Sequence, residues 1–184
     1  PPNIPISESE IQKDMDKRRP GQSKFTTQRK ESDKVSILSG VFQGKTTGTP
    51  ISMIIYNEDK RSRDYESIKN KFRPGHADFT YFTKYGIRDY RGGGRSSARE
   101  TAARVAAGGV ARKILADIVP DIQITGYLVR IGKLEIDRKN FSEVTIQEND
   151  FWCPDKAMVQ KWENYIKVLR KNGNSVGAMI EIIA

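Results

Sequence analysis

Seven of the ten residues from Ala102 to Ala111 are alanine or glycine, and this run constrains the fold more than any other feature of the chain. Each helical glycine costs about 1 kcal/mol relative to alanine. A helix that keeps Gly108-Gly109 in its middle must therefore recover that cost by letting another backbone come close. The spacing Ser97 to Glu100 is that of a capping box, in which each side chain satisfies an orphan amide of the first turn. Pro120 cannot continue a helix. A helix is predicted from about Ala98 to Ile118, central rather than on the surface, with Ile114, Leu115 and Ile118 continuing its buried face.

The segments on either side supply what such a helix packs against. Ser7 and Glu10 repeat the capping-box spacing, Ile11 and Met15 lie one turn apart, and Pro20-Gly21 ends this first helix. Val35 to Phe42 and Thr49 to Tyr56 alternate apolar and polar residues, through Val35, Ile37 and Ser39 and through Ile51, Met53 and Ile55. Gly40, Gly44 and Gly48 punctuate them, so an antiparallel pair joined by something longer than a two-residue turn is expected. Ile122 to Leu134 reads as a strand. Cys153-Pro154-Asp155 opens a last helix striped by Met158, Trp162, Tyr165, Ile166 and Leu169 and closed by Asn172-Gly173, and Val176, Ala178, Ile180 and Ile182 alternate in a final strand. The expected class is α+β: a mainly antiparallel sheet of about four strands with helices layered on it, in one domain over residues 1–184.

Between these lies Asn57 to Gly94, a long stretch with little apolar periodicity apart from a short possible helix around Tyr65 to Asn70. A connection of this length inside a compact domain is usually functional or disordered. Phe72, Phe79, Tyr81, Phe82, Tyr85 and Tyr90 argue against disorder, because disordered segments are poor in aromatics. An ordered site loop is expected.

A formal charge of +9 implies anionic company: nucleic acid, an acidic lipid surface or a small polyanion. The cations fall in two blocks. Lys17 to Lys30 carries six and no acid, and Lys84 to Arg104 carries six against Asp89 and Glu100. No apolar run approaches the roughly 20 residues that span a bilayer, and no signal-peptide pattern opens the chain, so a soluble, intracellular protein is expected. One cysteine, Cys153, and one histidine, His76, exclude an intrachain disulfide and argue against a zinc site. The chain opens on Pro1-Pro2 without an initiating methionine and ends in the apolar strand Ser175 to Ala184, which suggests a fragment of a larger protein.

Gly92 to Gly94 entering a capped helix is a physical recipe for holding an anion, since the backbone can approach closely and the free amides and positive dipole end face the charge. Arg95 and Arg99, four apart, add donors on one side, and Ser96 and Ser97 add hydroxyls. The string is neither a Walker A loop nor a GxGxxG fingerprint. The same residues also fit a glycine turn whose serine only caps a helix. His76, after Pro74-Gly75, reads either as a surface residue or as a proton donor near the arginines. Arg18, three residues beyond Met15, reads either as a snorkelling side chain or as a cation facing an anion from the inward side of its helix.

The literal strings RPGHADFTYFTKYGIRDYRGGGRSSARETAARVAAG and DKRRPGQSKFTTQRKESDKVSILSGVFQGKTTGTPI closely resemble the chorismate synthase family, and the resemblance extends over essentially all 184 residues. It implies part of the family's β-α-β sandwich. It also implies an anti-1,4-elimination, in which 5-enolpyruvylshikimate 3-phosphate loses phosphate and a ring hydrogen to give chorismate in the shikimate pathway. Reduced FMN is required without net redox change, because the flavin lends an electron to expel phosphate and recovers it with a proton. NADPH enters where a member reduces its own flavin. A cytoplasmic homotetramer that uses neither nucleic acid nor membrane is implied as well.

By the same resemblance, His76 is similar to the family histidine beside the flavin, with a proton-donor role. Arg95, Ser96 and Ser97 match its FMN-contacting Arg-Ser-Ser. Arg99 resembles a substrate-anion ligand, and Arg18 an arginine at the substrate and nucleotide site. Lys24 stands where the family pattern carries arginine, which keeps the charge and loses the planar fork. The family's Gly-Glu-Ser-His-Gly motif and its later flavin-phosphate and substrate segments are not among these 184 residues, so the chain alone is expected not to turn over substrate. Two competing classes are a basic nucleic-acid-binding module, read from Arg91 to Arg95, and a non-catalytic scaffold.

Overall fold

The structure, a computed structural model, describes residues 1–27, 31–58, 62–91 and 98–184. The chain divides into two compact units, Pro1–Pro120 and Asp121–Ala184.

The first unit runs β1 (Pro2–Pro5), α1 (Glu8–Arg18), β2 (Val35–Ser39), β3 (Val41–Phe42), β4 (Lys45–Thr47) and β5 (Ser52–Ile55). A 3-10 segment (Ser62–Ile68), α2 (Asp78–Tyr85), a 3-10 turn (Ala98–Glu100) and α3 (Thr101–Ile118) complete it. Ser7 starts α1 as expected: its hydroxyl accepts from the Glu10 amide at 3.4 Å and donates to the Glu10 carboxylate at 3.1 Å. The antiparallel pair predicted from alternation is β2 with β5, in register Val35 to Ile55 and Ile37 to Met53. Its connection is more structured than expected, because β3 and β4 form a hairpin of their own around Gln43-Gly44, and β1 pairs with the outer side of β4.

The core explains the alanine-glycine helix. Ile6, Ile11, Met15 and Val35 are buried with Ala102 and Ala106 of α3, and Ile37, Met53 and Ile55 pack against them. Each such aliphatic side chain contributes about 1.5–3 kcal/mol when fully buried. At Gly109 a β-carbon would stand 3.4 Å from Ile11 Cγ2 and 3.6 Å from Ile11 Cα, so α1 approaches α3 to ordinary van der Waals contact at this glycine. Ion pairs Arg112–Asp14 at 2.8 Å and Lys113–Glu10 at 2.7 Å flank this contact. One expectation fails here. The opposite face of α3, with Ala103, Ala107 and Ala111, is exposed, as is Ile118, so α3 is half a surface helix among the described residues.

The second unit holds β6 (Thr125–Ile131), β7 (Leu134–Glu135), a 3-10 turn (Arg138–Asn140), α4 (Glu143–Ile146), α5 (Lys156–Lys171) and β8 (Ala178–Ile183). Its sheet has the order β7-β6-β8, antiparallel throughout. Tyr127, Val129, Ile131, Ile146, Phe151, Met158 and Trp162 are buried. Trp162 also donates from Nε1 to the Leu134 carbonyl at 3.0 Å. Asp155 caps α5 through the Ala157 amide at 3.0 Å and with its other oxygen accepts from the Asp137 amide at 3.1 Å. Ile180 and Ile182 alternate as expected but are exposed, because they share the sheet face opposite Tyr127 and Val129.

The α+β class and antiparallel pairing therefore hold. The described residues contain eight strands in three small sheets instead of one sheet of about four. The extra strands are short, and register shifts interrupt the pairing of β1 with β4, β2 with β5, and β6 with β8.

Candidate functional site

Two charge-built clusters in the first unit carry three of the predicted site residues, Arg18, Arg99 and His76. The first is centred on Asp33, in the segment between α1 and β2. Asp33 is fully buried and holds a left-handed backbone at φ 47°, a conformation that costs a non-glycine residue energy and persists only where the surroundings enforce it. Arg18, at the end of α1, reaches it from one side, Nη1 to Oδ2 at 2.9 Å, and donates from Nη2 to Thr101 Oγ1 at 3.1 Å. Arg99, in the turn before α3, reaches it from the other, Nη2 to Oδ1 at 2.6 Å, an ion-pair contact outside the alignment of a hydrogen bond. Glu31 Oε2 lies 3.5 Å from the same Nη2, and Arg99 also donates to Asn57 Oδ1 and to the Tyr56 carbonyl.

Arg18 and Arg99 are 81 residues apart in sequence, and the fold brings them to the two oxygens of one carboxylate. The anion awaiting Arg18 on the inward face is thus the chain's own Asp33. Beside Arg99 a cavity of about 230 Å³ opens between β5 and α3, lined by Met53, Ile55, Asn57, Ala102 and Ala106.

The second cluster is the turn that carries His76. It lies in the stretch expected to be a site loop, but part of that stretch is α2, which the sequence reading missed. Gly86 ends α2 in the left-handed conformation, its amide donating to Phe82 O at 2.8 Å. Phe79, Phe82 and Tyr85 recur at a helical spacing, but the helix is only eight residues long and these rings are exposed, so a short run like this does not stand out as a buried stripe. Buried Asp78 opens α2 and takes both Arg73 and Arg88, at 2.9 Å and 3.5 Å. The hydrogen bonds from the Arg73 guanidinium, aided by the Arg73 amide and the Arg88 charge, hold the Asp78 carboxyl well below the usual carboxylate range. His76 is exposed, with Nδ1 3.1 Å from the Pro74 carbonyl oxygen.

Of the other predicted residues, Lys24 is exposed in the turn after α1, its Nζ 5.0 Å above the Phe25 ring. Arg95, Ser96 and Ser97, with Gly92 to Gly94, lie outside the described residues. Sequence reasoning missed Glu31, Asp33, Asp78, Arg73 and Arg88. A signal was present for the first two: Glu31 and Asp33 directly follow the acid-free block Lys17 to Lys30, where buried counter-charges are to be expected. Among the described residues no helix is long and apolar enough to cross a membrane.

These features define an α+β protein whose first unit holds, among the described residues, two arginine-rich clusters around buried acids. The chorismate synthase family model matches residues 1–184. Curated chorismate synthases from Pelagibacter ubique and from a Ruegeria species are each 63% identical to the chain; the first matches over 185 residues and 51% of its own length, the second over 184 residues and 50%. A solved structure titled "Crystal Structure of Chorismate Synthase" superposes with a TM-score of 0.71 at 31% identity, covering 99% of this chain and 50% of the solved one. The chain belongs to the chorismate synthase family, and it spans about half the length of the curated relatives it matches. None of these matches supports the nucleic-acid-binding reading.

Proposed function

We propose that the chain is one partial domain of an enzyme that eliminates phosphate from 5-enolpyruvylshikimate 3-phosphate to form chorismate. The observation that carries this reading is the family match over the whole of residues 1–184. A substrate with two carboxylates and a phosphate needs cations arranged without reorganisation. Arg18 and Arg99, held on Asp33, are proposed as part of that wall, with Lys24 adding charge from an exposed turn.

Reduced FMN is the proposed cofactor; when bound, it supplies the electron that expels phosphate. The resemblance gives Arg95, Ser96 and Ser97 as its contacts. The exposed His76 ring fits a neighbouring flavin as a proton carrier open to a ligand. Here the chain's own part is to hold the imidazole, keep a proton available on it and present cations to the leaving phosphate. NADPH as flavin reductant, a homotetramer and a cytoplasmic location follow from the same family reading.

The test completes the chain to the length of its relatives and measures chorismate chromatographically, from 5-enolpyruvylshikimate 3-phosphate under anaerobic conditions. Chorismate and phosphate are expected with reduced FMN and not with oxidised FMN. The 184-residue chain alone, at about half that length, is expected to form none. Failure of the completed protein to form chorismate with reduced FMN overturns the reading.

A further inference from the structure

The turn that carries His76 is closed by charge. Asp78 Oδ2 accepts from the Arg73 backbone amide at 3.0 Å and from Arg73 Nε at 2.9 Å, and Oδ1 accepts from Arg73 Nη2 at 2.9 Å. Arg88 braces the same carboxylate through Nη1 and donates from Nη2 to the carbonyls of Ile68, Lys69 and Lys71 at 3.2, 2.7 and 2.6 Å. Residues 73 and 78 are thereby locked together and tied to the end of the preceding 3-10 segment. Within this frame the His76 amide donates to Arg73 O at 3.3 Å, and ring Nδ1 faces Pro74 O at 3.1 Å. A carbonyl oxygen only accepts, so Nδ1 carries the hydrogen of the neutral ring.

We propose that Asp78 is a positioning residue for His76: the Arg73–Asp78–Arg88 clamp holds the turn so that the Pro74 carbonyl keeps the proton on Nδ1, which makes Nε2 the nitrogen through which His76 gives and takes protons. The catalytic consequence rests on the proposed function, whereas the tautomer is a property of this chain alone. Asp78 also places a negative charge at the start of α2, which by itself stabilises a helix. That role moves the helix and not the ring, so the two roles separate on the imidazole signal.

The chain has a single histidine, so a sample labelled with ¹⁵N-histidine gives one imidazole spectrum. Above the ring's titration, long-range ¹⁵N–¹H correlation is expected to show a pyrrole-type Nδ1 and a pyridine-type Nε2, widely separated. In Asp78→Asn the carboxylate is lost, and the separation is expected to fall to less than half as both tautomers populate. Asp78→Glu, which restores the charge, is expected to recover part of it. The Met15 methyl signal of the core serves as the folding control; if Asp78→Asn disturbs it, Arg73→Lys, which keeps charge without the fork, is expected to give the same collapse. A wild-type ring that is already averaged or protonated on Nε2 overturns the proposal, and so does an unchanged spectrum in a folded variant. In the completed enzyme, Asp78→Asn is expected to lower kcat while leaving KM within about twofold. A collapsed tautomer with unchanged kcat overturns His76 as the proton carrier and leaves the positioning of its ring standing.

Discussion

Asp33 offers the sharpest test of the first cluster, because charge and backbone can be perturbed separately. Asp33→Asn preserves shape and tolerates φ 47°, since asparagine enters the left-handed region readily. It removes the charge that meets Arg18 at 2.9 Å and Arg99 at 2.6 Å. Breaking a buried pair from one side costs about 3–5 kcal/mol. Two features reduce this: Glu31 stays 3.5 Å from Arg99, and the Arg18 and Arg99 side chains are 23% and 16% exposed, so water reaches both. A loss of about 2–4 kcal/mol is therefore expected. Asp33→Ala adds the left-handed penalty of about 1–2 kcal/mol, and Asp33→Gly does not. Urea unfolding at neutral pH should be followed by circular dichroism, because Trp152 and Trp162 both lie in the other unit. An Asp33→Asn loss under about 1 kcal/mol refutes the view that this carboxylate anchors the arginines. Equal losses for Ala and Gly refute the strain at position 33.

Two further outcomes are expected. The Asp78 carboxyl is depressed in the folded chain, so the folded state binds fewer protons than the unfolded one in acid. Its contribution is complete above the unfolded carboxyl value of about 3.9 and is lost as pH falls below it toward the folded value. Asp78→Asn should flatten the acid limb of stability, and an unaltered limb refutes the clamp. Cys153 is fully buried and burial pushes its thiol up to about 11, so a disulfide reagent at pH 8 should label it only after denaturation. Rapid labelling of the native chain contradicts that burial.

What was legible in the sequence followed from apolar spacing. Val35 with Ile37 and Met53 with Ile55 predicted β2 and β5 because those side chains do meet the core, and the alanine-glycine run predicted a close helix neighbour, found as Ile11 against Gly109. The failures share a cause: they involve elements held by polar contacts or left open on one face. Helix α2 is fixed at its ends by Asp78 and Gly86 while its phenylalanines face outward, and β1 is a proline-bounded strand tied by the Ile4 amide to Thr46 Oγ1 at 3.0 Å. From the sequence Arg99 read as a donor at an anion site, and Arg18 either as a snorkelling side chain or as a cation facing an anion. Asp33 was signalled only by its place, with Glu31, just after the basic block; an acid there carries no period, and its pairing across 15 and 66 positions emerges only when α1, β2 and α3 pack.

The clamp around Asp78 also gives the His76 turn an unusual relation to temperature. Apolar contacts weaken on cooling, because burying apolar surface carries a large heat-capacity change. The turn is closed by a carboxylate, two guanidinium groups and main-chain carbonyls, while the neighbouring Phe72, Phe79 and Phe82 remain substantially exposed. Opening it therefore uncovers little apolar surface. Cooling is therefore expected to weaken the ionic closure of this turn less than it weakens the apolar contacts of Ile11 and Met15.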